Sequence, residues 1–144
     1  MFKRIAVAYS ESPEAKRALT SAVHLARTLG AELRAVIILQ APSAYTAYAD
    51  AVDPSLKKII NSDRMQAYER LHSQAYEAAL REGVEFETHL LEGEEVDAIV
   101  YSLAHHKTDL LVVGLHHHQS HISRLCSTVY ALAQDAPCSV LGVH

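Results

Sequence analysis

The chain has 144 residues, 49% hydrophobic and 21% charged, the proportions of one soluble globular domain that needs neither disulfides nor a metal to fold. Thirteen basic residues against seventeen acidic ones give a net charge of −4 with no long run of one sign, which excludes the basic stripe of a general nucleic-acid binder. No apolar run reaches the roughly 18 residues of a membrane span, and the N-terminus opens on a strand-like segment without a signal-peptide core, so no membrane contact and a cytoplasmic location are expected.

The charge is uneven. Six basic and three acidic residues precede Ala49, and seven and fourteen follow from there. The two cysteines, Cys126 and Cys138, have no CxxC spacing and read as small buried residues of a reducing compartment.

Strand and helix signals alternate along the chain. Ile5 to Ala8 is a short apolar run, the mark of a strand covered on both faces. Ser12 and Pro13 read as the cap and first residue of a helix. Its apolar stripe is Ala15, Ala18, Leu19, Ala22, Ala26 and Leu29, and Gly30 ends it. Leu33 to Leu39 is the second strand. A long loop follows, Ala41 to Asp53, whose Tyr45 and Tyr48 either stack on a base or cover the rim of the sheet. Asp53 and Pro54 repeat the cap-plus-proline signal. The helix behind them runs on Leu56, Ile59, Ile60, Ala67, Leu71, Ala75 and Ala78 to about Glu82, with room for a break near 61–63, and Gly83 closes it.

Val84 to Leu91 alternates, as a half-exposed strand at a sheet edge does. A third helix is expected from about Glu94 to His106, with Glu94 and Glu95 where the helix dipole favours negative charge and His105 and His106 where it favours positive charge. Leu110 to Val113 is a second fully apolar, hence central, strand. A last helix near Ile122 to Gln134 and a final strand, Cys138 to Val143, complete the pattern. Five strands and four helices in alternation predict a single Rossmann-like α/β domain over residues 1–144, a parallel sheet with helices on both faces.

In such a sheet a ligand binds past the carboxyl ends of the strands, where strand order reverses. If the two most apolar strands are neighbours, the crevice lies between Tyr9–Ser12 and Gly114–Thr128. Both segments lead into helix N-termini, which offer free backbone N–H groups.

These residues also carry a resemblance. The opening IAVAYSESPEA, the GAEL after the first helix, and the closing DLLVVG, SRL–ST and APCSVLGV are similar, in order and spacing, to universal stress proteins. The resemblance covers the whole chain. It implies strand order 3-2-1-4-5 and, commonly, a homodimer. ATP-binding members carry G-x-x-G, nine residues, then G-[ST]. Here Gly114 and Thr128 match the first and last positions, after Val113 at the strand end. His117 and Ser127 replace two glycines, Ser10 replaces the usual Asp of the first strand, and Glu11 replaces the glycine after it. Four departures in one site weigh against ATP. The stretch His117, His118, Gln119 before Ser123, Arg124, Leu125, Ser127 and Thr128 is instead similar to the branch named for UspA, which lacks the glycine motif.

The expected function is therefore that of a non-enzymatic stress-response homodimer acting on protein partners the sequence does not identify. A sensor that binds ATP or AMP through Ser10, Val113, Gly114, His117, Ser127 and Thr128 is the alternative. A further reading is a metal module on the loop of His116, His117, His118 and His121, where His117 and His121 stand one helical turn apart if the last helix begins early. Ser127 and Thr128 either bond a phosphate or pack as small residues, and Arg124 either meets an anion or is a surface charge. No nucleophile, base and orienter can be assembled, so no enzyme is expected. In the resembled order the final strand, apolar on both faces through Cys138, Val140, Leu141 and Val143, is an edge, and antiparallel pairing of two copies would close a C₂ dimer.

Overall fold

The computed structural model describes residues 1–38, 51, 53–115 and 128–144. Among the described residues the chain order is β1 (Arg4–Tyr9), α1 (Pro13–Leu29), β2 (Glu32–Ile38), α2 (Pro54–Arg81), β3 (Phe86–Leu91), α3 (Glu95–His105), β4 (Leu110–Gly114), α4 (Thr128–Asp135) and β5 (Ser139–Val143). The five strands form one parallel sheet in the order β3-β2-β1-β4-β5. That is the order the resemblance implied. The first and fourth strands are neighbours, with Val7 opposite Val112.

Strand alternation divides the core into two layers. Ile5 and Val7 of β1, Leu33, Ala35 and Ile37 of β2, and Val112 of β4 face α1 and α2. Ala6, Val36, Leu111 and Val113 face the other way, against Ile99 and Leu103 of α3 and Leu132 of α4. Val7, Leu111 and Val112 are fully buried, each worth about 1.5–3 kcal/mol relative to exposure. The reversal of strand order at β1 and β4 puts one helix pair on each face.

The helix signals act as read. Ser12 Oγ accepts from the Ala15 N–H at 3.1 Å, satisfying one free donor of the first turn of α1. Gly30 adopts φ 63°, and the Ala31 N–H bonds back to the Ala26 carbonyl at 2.9 Å. The same device ends α2, with Gly83 at φ 66° and the Val84 N–H on the Ala79 carbonyl at 3.0 Å. Asp53 caps α2 by accepting from the Ser55 N–H at 3.0 Å. Hydrogen bonds from the Ser55 side chain and backbone hold its carboxyl below the usual range.

Three findings adjust the expected elements. α2 runs unbroken through 61–63, because Asn61, Ser62 and Asp63 all face solvent and leave its ladder intact. The fully buried positions of α2 are Leu71, Ala75 and Ala79, whereas Ile59, read as part of the stripe, is 56% exposed. Cys138 is half-buried rather than buried, and burial raises its thiol pKa. As expected, β3 and β5 are the two sheet edges, and Leu141 on β5 stands 38% exposed. Among the described residues no helix is long and apolar enough to cross a membrane. The loop with Tyr45 and Tyr48 and the segment from His116 to Ser127 lie outside the described residues.

Candidate functional site

The carboxyl ends of β1 and β4 open into a cleft of about 700 Å³ at the point where strand order reverses. Its base is apolar, formed by Ala8, Val36, Ile38, Ile99 and Leu132. One wall comes from Ala67 and Leu71 of α2, the other from the N-terminus of α3 and from Thr128 and Val129 of α4. Ser10, Val113, Gly114 and Thr128 all line it. The structure thus brings together the four expected nucleotide-site residues that it describes. His117 and Ser127, the proposed metal pair His117 and His121, and Arg124 lie outside the described residues.

Several polar side chains around the cleft already have partners within the fold. Tyr9, 4% exposed, donates from its hydroxyl to Gln74 Oε1 at 3.0 Å. Burial, and then the Glu11 carboxylate, raise its pKa. Ser10 donates to Ser12 Oγ at 3.2 Å, so the residue in the usual Asp position is folded into the turn that starts α1. Glu11 accepts from Arg70 Nε at 2.7 Å, tying the β1–α1 turn to α2. With both side chains more than half exposed, that pair is worth at most about 1 kcal/mol. Thr128 Oγ1 donates to Glu95 Oε2 at 3.4 Å, linking α4 to the first turn of α3.

The formal charge of the lining is one-sided. Glu11, Glu94 and Glu95 line the cleft, and the described lining residues include no Lys, Arg or His. Glu94 and Glu95 were legible as dipole partners of α3, but their place at the cleft was not. Nor was the Glu11–Arg70 pair, which spans 59 positions of sequence and depends on how α2 lies across the sheet.

A second polar cluster stands on the face covered by α3, toward the amino ends of the strands. Arg34 of β2, its side chain 14% exposed, bonds Glu87 of β3 through Nε at 2.6 Å. His89 Nε2 lies 3.5 Å from the same carboxylate. The His89 and His106 rings meet edge-on at 4.4 Å, and His105 and His106 at 5.0 Å. Burial would raise the Glu87 carboxyl, but Arg34 and His89 together hold it below its usual value. His106 is pushed down, first by burial and then by Arg34, His89 and His105, against a weaker pull from Glu87. Among the described residues no group of three or more His, Cys, Asp or Glu is arranged to hold a metal.

Comparison with known proteins agrees with this architecture. The model of the Universal stress protein family matches residues 1–144. A universal stress protein solved in complex with cAMP superposes with a TM-score of 0.76 at 23% identity, covering 99% of this chain and 97% of that one. UspA from Lactobacillus plantarum gives 0.75 at 23% identity over 99% and 98% of the two chains. A universal stress protein from Archaeoglobus fulgidus in complex with dAMP gives 0.68 at 20% identity over 100% and 98%. Among curated proteins the comparison found no match. With the family model spanning its whole length, the chain belongs to the universal stress protein family.

Proposed function

We propose that this protein is a non-catalytic, cytoplasmic stress-response module whose switch-point cleft binds an adenine nucleoside or nucleotide. The observation that carries the reading is the cleft itself. A cleft of about 700 Å³ with an apolar base is wide enough for a nucleoside, and it opens between the carboxyl ends of β1 and β4, where open α/β sheets bind ligands. The cAMP and dAMP complexes of two similar folds support the same ligand class. Calorimetric titration of the protein, stripped of bound nucleotide, tests it. Saturable binding of adenosine or AMP supports the reading, and no heat up to millimolar ligand removes it.

A second reading is a homodimer that works through protein contacts without a nucleotide. Two observations favour it. The Thr128 hydroxyl and the Glu11 carboxylate are both engaged internally. β5 is a sheet edge whose ladder bonds to β4 leave the N–H and C=O groups of Val140 and Gly142 directed away from that strand, while Leu141 is 38% exposed. Light scattering at micromolar concentration tests the dimer, and a monomeric mass sinks it.

A further inference from the structure

We infer that the cleft discriminates against phosphate charge, with Glu95 and Glu11 as its specificity-determining residues, and that its preferred ligand is an uncharged or singly charged adenine compound rather than a triphosphate. The inference rests on the cleft reading above. Three observations carry it.

The residue that matches the phosphate-binding Ser/Thr position, Thr128, directs its hydroxyl proton to Glu95 Oε2 at 3.4 Å. A phosphate oxygen that took this donor would displace a carboxylate and then lie beside it. Glu94 and Glu95 also stand at the N-terminus of α3, so acidic side chains already sit where its free N–H groups would receive an anion. At the rim Arg70 is held by Glu11, which leaves that guanidinium compensating an internal charge. The Glu94 and Glu95 carboxylates repel an added phosphate, and the repulsion grows with every charge the ligand carries, while Glu11 acts by keeping Arg70 from it. The apolar base formed by Ala8, Val36 and Ile38 carries no charge, so it does not distinguish ligands by their phosphate count.

The test is calorimetry without divalent cations, on the stripped full chain and on Glu95→Gln and Glu11→Gln, with adenosine, AMP and ATP as ligands. Glutamine at 95 keeps an acceptor for Thr128 and removes only the charge. Glutamine at 11 frees Arg70 toward the cleft. The native protein is expected to bind adenosine at least as tightly as AMP, and AMP more tightly than ATP. Each variant should bind ATP about threefold or more tighter than the native protein does, with its adenosine affinity within about twofold. Native protein that prefers ATP to adenosine, or variants that leave the ATP-to-adenosine ratio unchanged, would overturn the inference while leaving the cleft reading in place. Failure of all three ligands to bind at millimolar concentration would remove the cleft reading and the inference with it. Unfolding midpoints of the variants, expected within a few degrees of native, show that a changed ratio is not a folding defect.

Discussion

A β-carbon placed on Gly114 would lie 2.4 Å from both the carbonyl carbon and the carbonyl oxygen of Glu14. The end of β4 therefore meets the first turn of α1 at a separation that only glycine permits, because backbone cannot swing aside as a side chain can. The glycine that resembles the start of a phosphate-binding motif has a packing duty of its own. Gly114→Ala is expected to cost about 1–3 kcal/mol in urea unfolding, the usual range for overpacking. Gly142→Ala is the control. Its added carbon would meet Leu115 Cδ1 at 2.7 Å, the movable end of a side chain, and should cost less than about 1 kcal/mol. Equal losses in the two variants would refute the distinction.

His106, set among Arg34, His89 and His105, makes stability depend on pH. His106 has a depressed pKa when folded, so between that value and its ordinary 6.5 the unfolded chain binds more protons. Stability then rises with pH through this window and falls as the solution is acidified from about 6.5. Glu87, also depressed, adds a further loss only below its ordinary 4.5, as pH falls through its folded value. The midpoint of thermal unfolding should drop between pH 7 and 5.5 more steeply in the native chain than in His106→Gln. Parallel profiles would show that His106 contributes no pH dependence.

Ser12 joins two tasks in one turn, capping α1 and accepting the hydroxyl proton of Ser10. Ser12→Ala should lower stability by about 1 kcal/mol, the cost of a lost helix cap. Ser10→Ala, which leaves the cap in place, should cost clearly less. Chemical denaturation of both variants settles the order, and the reverse ranking would mean that the turn rather than the cap carries the energy.

Alternation of apolar runs with capped amphipathic segments was enough to read the order of elements. The caps at Ser12 and Asp53 and the glycines at 30 and 83 act locally, so local sequence reveals them. The cleft was partly legible for the same reason. Ser10, Val113, Gly114 and Thr128 lie at element ends, and topology brings element ends together. What escaped notice depends on packing between distant segments. Glu11 meets Arg70, Thr128 meets Glu95, and Gly114 meets Glu14, and no local pattern announces any of these pairs. The exposure of Ile59 escaped as well, because a helical stripe records which side is apolar and not how far the sheet extends beneath it.

The position of β5 at the sheet edge among the described residues yields a prediction on assembly. Leu141→Asp places a charge on the exposed edge strand without disturbing the buried layers, since Leu141 is 38% exposed. If β5 pairs two copies, light scattering at micromolar concentration should show a dimer for the native chain and a monomer for this variant. A dimer of unchanged affinity in the variant would place the interface elsewhere.

The claim that the cleft is the ligand site is tested most directly by NMR titration of the nitrogen-15-labelled, stripped protein with adenosine. Saturable shifts of the Ser10, Gly114 and Thr128 amides, with those of Arg34 and His106 unmoved, are the predicted result. Shifts confined to the Arg34–His106 end, or no shifts at millimolar adenosine, would contradict it.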